Sequence, residues 1–280
     1  MGFFSDNASN DALPITRDLT LMYKISAIIA ILMTIASVSG LLFSSAIYPT
    51  DDVLQTFFAN DVVNLLIGLP ILIGSMWLSW RGKLIGLLLW PGALLYVLYN
   101  YTAYLFGLPL NWTLIFYLLL VLLSAITVTR LIMSIDGGTV RGQLEGLVFE
   151  KLSGGFLFVF GVLFILRAIS IIADAIANQT VILPTEISVL IADMILSALW
   201  IAGGVLLFKR SPLGYVSGLG LLFSAIILFV GLIVYLLLQP VLTDVPFVVS
   251  DVIVIIVMGL VCCIPFALFV RGVTSSEKSP

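Results

Sequence analysis

At 280 residues, with 61% apolar side chains, only 10% charged ones and a net charge of −3, the chain is far too apolar for a water-soluble domain, in which about a quarter of residues are charged. It contains no histidine, which excludes histidine-held haem, histidine-based zinc centres and serine–histidine triads. The expected fold class is all-α: a polytopic membrane protein with the lipid bilayer as its first partner, and with no cofactor, metal site, assigned catalytic residue or nucleic-acid partner.

A polar segment, residues 1–22, opens the chain as MGFFSDNASNDALPITRDL and lacks the pattern of a cleavable signal. Asp6 stands where a myristoylation motif on Gly2 would need serine or threonine. Inside hydrocarbon every backbone polar group must be satisfied within the protein, and about 20 apolar residues cross a core about 30 Å thick. Uncharged stretches of that kind lie at roughly 25–47, 62–80, 84–106, 111–130, 154–177, 187–208, 213–238 and 247–270. Gly107, Pro109 and Asn111 divide the uncharged run from Leu84 to Thr129 into a hairpin. Trp90-Pro91-Gly92 predicts a kink early in span 3. Between spans 4 and 5, SIDGGTVRGQLEGLVFEK breaks at Gly137-Gly138 and then sets Leu144, Leu147, Val148 and Phe149 among charges, the pattern of a short interfacial helix. Cys262 and Cys263 are neighbours in span 8 and read as buried, inert thiols.

Basic residues next to spans are retained on the cytoplasmic side. Arg17, Lys24, Arg81, Lys83, Arg130, Arg141, Lys151, Lys209, Arg210, Arg271 and Lys278 all fall on one side, whereas the opposite loops hold Asp51, Asp52, Asp61, Glu186 and Asp244 and no basic residue. Both termini are therefore expected in the cytoplasm, and the chain in the cytoplasmic membrane of a prokaryote.

Order-preserving matches suggest a duplication. Lys24 and Ser26 pair with Lys151 and Ser153, Arg81 to Leu84 with Arg210 to Leu213, Tyr104 and Pro109 with Tyr235 and Pro240, and Arg130 with Arg271. The expectation is two parallel four-helix membrane units, 23–133 and 154–271, with a connector at 134–153, a tail at 272–280 and a pseudo-twofold axis along the bilayer normal. Gly82 with Gly86 and Gly214 with Gly218 place small residues where helices pack closely, a route to oligomers as well.

Polar residues within spans mark the candidate site. Arg167 lies deep in span 5, and Ser170, Asp174 and Asn178 share its helical face. Asp193 on span 6, with Glu186 on the same stripe, is a carboxylate for the guanidinium to find; Asp174 is the other. Asp251 near the outer end of span 8, and Asp61 and Asn64 near that of span 2, suggest an acidic outer vestibule. Span 3 carries Tyr96, Tyr99, Asn100, Tyr101 and Tyr104. Tyr101 and Tyr104 suit a membrane interface; Tyr96 and Asn100 are deeper, as interhelical glue or as cavity lining. Three functions stay open: a small-solute or ion permease or channel with its site between the two halves, a membrane scaffold or accessory subunit, and a lipid-modifying membrane enzyme.

Overall fold

The computed structural model describes residues 13–278, and apart from one isolated bridge, Ile15 to Ile135, its regular structure is helical throughout. The helices are α1 (Thr20–Leu42), α2 (Ser44–Ile47), α3 (Asp51–Val63), a π-turn (Asn64–Gly68), α4 (Leu69–Trp80), α5 (Leu84–Gly107), α6 (Leu114–Ser134), α7 (Gly137–Leu144), α8 (Glu150–Asn178), α9 (Pro184–Phe208), α10 (Pro212–Leu242) and α11 (Val249–Ser276). With α3, the π-turn and α4 counted as one element, eight are long and apolar enough to span a bilayer. This is an integral, multi-pass membrane protein. The first twelve residues of the polar segment lie outside the described residues.

Several boundaries differ from the sequence expectation. Span 2 begins at Asp51 rather than near 62, because the polar residues of α3 face protein instead of ending the helix. Its length, about 45 Å at 1.5 Å per residue, exceeds the hydrocarbon thickness. Pro70 explains the π-turn: it offers no N–H to the Leu66 carbonyl four residues back, and the widened turn is closed by the Leu69 N–H donating to the Asn64 carbonyl. Gly137 and Gly138 do not break the connector; they form the first turn of α7, because the Asp136 carboxylate accepts from the Gly138 and Thr139 N–H groups. These bonds, with one from the Thr139 hydroxyl, hold the Asp136 carboxyl below its usual range. The expected tail is helical as far as Ser276. Cys262 is buried, whereas Cys263 is exposed on the lateral surface.

Helix α5 is the centre of the bundle, buried along nearly its whole length and packed against α4, α6, α9 and α10. Two buried tryptophans tie it and its neighbour in place: Trp90 Nε1 donates to Ser26 Oγ and Trp200 Nε1 to Ser224 Oγ, each at 3.1 Å. Where α5 crosses α10, backbone meets backbone at Gly92 and Gly220. A Cβ on Gly92 would fall on the Gly220 carbonyl, and one on Gly220 would lie 3.0 Å from the Leu88 oxygen and 3.1 Å from the Gly92 nitrogen.

The turns leading into these two helices share one pattern. Lys83 N–H donates to the Leu78 carbonyl (3.1 Å) and Gly82 N–H to that of Ser79 (2.9 Å); Ser211 donates to Leu206 and Arg210 to Leu207, each at 2.9 Å. Both are left-handed helix stops, with φ of 72° at Gly82 and 54° at Arg210. Arginine tolerates this conformation at a cost of roughly 1–2 kcal/mol, and here its guanidinium reaches Glu150 (3.8 Å) and Glu145 (4.0 Å). Tyr215 donates to Glu150 at 2.8 Å, joining α7, α8 and α10 at the face that carries both described termini. At that same face Glu277 accepts from the Ile85 N–H at the start of α5.

The glycine crossing gives a direct expectation. Gly92→Ala should lower the thermal unfolding midpoint of the purified protein, by an overpacking cost of about 1–3 kcal/mol. Gly74→Ala, which meets nothing within 4 Å, should instead stabilise its helix by up to about 1 kcal/mol.

Candidate functional site

The sequence-derived candidates fall in three places. The first is an ion pair at the contact between α8 and α9. Arg167 lies seventeen residues from the start of α8 and eleven from its end, about 16 Å below that end. Its Nη1 meets Asp193 Oδ2 at 2.8 Å. The other carboxylate oxygen accepts from the Tyr99 hydroxyl of α5 at 2.9 Å. The carboxylate is 3% exposed and the guanidinium 53%, so the acid is inside the bundle while its partner reaches from the lateral surface.

The second place is that lateral surface. Ser170, Asp174 and Asn178 share a face with Arg167 as the spacing predicts, but they point away from the bundle. Asn178 donates to Asp174 at 2.9 Å. Asp251, at the start of α11, is exposed and accepts only from its neighbour Ser250.

The third place, where α3 meets α5, holds Asn64, Tyr96, Asn100 and Tyr104. Asp52, Thr56, Asn60 and Asn64 recur every four residues along one face of α3 and into the π-turn. Opposite them, Tyr96, Asn100 and Tyr104 recur at the same interval on α5. The two stripes are bonded to each other: Asn60 Nδ2 donates to Asn100 Oδ1 at 3.2 Å and to the Tyr104 oxygen at 3.3 Å. Higher up, Thr185 of α9 donates to Asp52. From α10, Tyr235 and Gln239 donate to the Gln55 carbonyl at 3.0 and 3.1 Å.

Above this polar ladder, at the face remote from the termini, opens a cavity of about 350 Å³ lined by Asp51, Leu54, Gln55, Val241, Leu242, Thr243 and Asp244. Its mouth holds two carboxylates and no basic residue. Below it the ladder descends about 18 Å, at 1.5 Å per residue from Asp52 to Asn64. Asn64 is 1% exposed, and neither its Nδ2 nor its Oδ1 has a hydrogen-bond partner among the described residues. Beneath the ladder the Gly92–Gly220 crossing closes the seam between α5 and α10.

Two expectations change here. Asp61 does not line an outer vestibule; it is buried at 1% exposure against α1, α5 and Tyr48, because its side chain points to the face of α3 opposite the lipid. Tyr101 and Tyr104 are not interfacial tyrosines but are fully buried in an aromatic cluster with Phe57 and Tyr117. Asn60 and Thr56 precede the expected start of span 2, and Asp52 reads from sequence as an acid of an outer loop, so the expected boundaries do not mark the three as one stripe. Their four-residue spacing was the available signal.

Among the described residues no group of three or more acidic or cysteine side chains is arranged to hold a metal ion. For the ion pair, Arg167→Met alone should destabilise by about 3–5 kcal/mol, since it strands a buried carboxylate, while Arg167→Met with Asp193→Leu should recover most of that loss in thermal unfolding. Tyr99→Phe should cost about 1 kcal/mol. No family model, no curated protein and no solved structure matches the chain.

Proposed function

We propose that the protein is a permease for a small cation or polar solute, with its site where α3 and α5 of a first four-helix half meet α9 and α10 of a second. The observation that carries this reading is the polar ladder of α3 and α5, which lies beneath an acidic cavity and ends at the Asn64 amide, buried and without a partner among the described residues. A buried amide without partners costs free energy of a few kcal/mol, so a transient polar occupant offsets that cost. Two carboxylates at the mouth favour cations over anions. The π-turn beside Asn64 loosens the helix at that level.

The duplication is part of the proposal. Its supports are the matching turns at Gly82 and Arg210 and the contact of Gly92 with Gly220, which stand at the same offset of 128 residues. Residues related by a twofold axis meet each other at that axis. This offset is one residue shorter than pairing Arg81 with Arg210. Tyr104 and Tyr235 both reach carbonyls of α3, Tyr104 from its own half and Tyr235 from across. The mouth would face outward and both termini the cytoplasm, following the one-sided lysines and arginines.

In a background with Cys262 and Cys263 replaced, a membrane-impermeant maleimide applied outside should label cysteines at Asp244, Gln239 and Asn60. Cysteine at Gly142 should label only after permeabilisation. In proteoliposomes loaded in turn with sodium, potassium and a pH dye, at least one flux should require the protein and fall at least tenfold in Asn64→Leu. Labelling that stops at Asp244, together with no flux of any ion tested, would retire the permease reading.

A second reading has its own observation: Ser170, Asp174 and Asn178 are exposed on α8, where a single copy would present them to lipid. Polar side chains in that setting favour a helix packed over them, as in an accessory subunit. Cysteine crosslinking from Ser170 to another membrane chain in native membranes would support it.

A further inference from the structure

Tyr104 belongs to the ladder on one side and to Asp61 on the other. The Asp61 carboxyl is 1% exposed and about 15 Å from the start of α3. The Tyr48 hydroxyl donates to its Oδ2, and the Tyr104 hydroxyl lies 3.0 Å from its Oδ1. Gly40 of α1 leaves room for both, since a Cβ there would overlap Asp61 Oδ2 and the Tyr48 oxygen. The other groups facing this pocket are Ser37 from α1, Tyr101 from α5 and Tyr117 from α6, whose hydroxyl has no hydrogen-bond partner among the described residues. Every one is a neutral hydroxyl. Among the described residues no lysine or arginine is within ion-pair distance of Asp61.

The other two buried carboxylates are treated differently. Asp193 has Arg167, and Glu150 has Arg210. An unpaired carboxylate in such surroundings would carry a heavy desolvation cost, which protonation removes. The hydrogen count agrees. The Tyr104 oxygen sits 3.0 Å from Asp61 Oδ1 and 3.1 Å from the Phe57 carbonyl, with the Asn60 amide donating to it. A phenol has one hydrogen to give. If Asp61 is a neutral acid, its O–H donates to Tyr104, Tyr104 donates to Phe57, and Tyr48 donates to the remaining carboxyl oxygen, so all contacts are satisfied at once.

We infer that Asp61 is held as a neutral carboxylic acid and is a proton-binding site, exchanging its proton with the ladder through the Tyr104 hydroxyl. In release, Asp61 passes its proton to the Tyr104 oxygen as Tyr104 gives its own to water in the ladder, which leaves as hydronium. Tyr104 then donates to the new carboxylate instead of to Phe57. Uptake reverses each transfer. Exchange with the ladder rests on the permease reading and makes the proton its transported or coupling ion; the neutral acid does not depend on that reading.

Infrared difference spectroscopy on the reconstituted full chain tests the first part. At neutral pH the wild type should show a protonated-carboxyl C=O band that shifts in D2O and is lost in Asp61→Asn, whose amide can replace both hydrogen bonds. Tyr104→Phe should retain the band at a shifted frequency, which keeps the assignment secure if the Asp61 variant folds poorly. A difference spectrum containing only carboxylate bands would overturn the inference, as would conversion of the acid band to carboxylate on adding sodium at constant pH, which would make Asp61 a metal-cation site. Proton flux into the same vesicles, with the potential clamped, tests the second part: flux abolished by Asp61→Asn and slowed by Tyr104→Phe is expected. An acid band with no proton flux would leave the neutral acid standing and overturn its exchange with the ladder.

Discussion

The structure depends on the contact between Gly92 and Gly220, where the backbones of α5 and α10 meet without intervening side chains. In hydrocarbon, burying apolar surface between helices gains little over contact with lipid, so close packing and interhelical hydrogen bonds hold a bundle together. This crossing sets the distance between its two most central helices. The ladder can bond α3 to α5 because α5 is held in the middle.

Among the described residues three carboxyl groups are buried, and each is accommodated by a different chemistry. Glu150 is near the end of its helix, with a phenol and an arginine beside it. Asp193 takes a guanidinium from the lateral surface and a phenol from the central helix, so it links α8, α9 and α5. Asp61 has only hydroxyls around it, supplied by α1, α5, α6 and the segment just after α2. Asp61 meets Tyr104 of α5 and Asp193 meets Tyr99 of the same helix, yet of the two only Asp193 has a counterion among the described residues. On the proposed reading, that asymmetry separates a structural tie from a group whose charge can change.

The tyrosine-rich stretch of α5 shows how much of this was legible in the sequence. Its polar character was evident, and the spacing of Tyr96, Asn100 and Tyr104 marked one face. Which helix that face met was not, because α3, which carries the partner stripe, begins with two aspartates and reads locally as a loop. For Arg167 the sequence left Asp174 and Asp193 as alternative partners, and the structure pairs it with Asp193. The direction of its stripe could not be found from one helix alone, since a helical wheel gives the angles between residues and says nothing about which side is inward.

Composition and the spacing of charges were sufficient by themselves for the class of protein and the number of spans, because hydrocarbon imposes length and polarity rules that act on each segment separately. Burial of Asp61, its ring of hydroxyls, the unpartnered Asn64 amide and the glycine crossing were decided only in the tertiary structure. Each depends on residues 13 to 128 positions apart being brought within a few ångströms, and apolar periodicity carries no record of which faces are joined. In lipid an inward and an outward apolar face look alike in sequence, so the bundle's packing, and with it the site, is settled by small residues and hydrogen bonds that meet only once the helices have assembled.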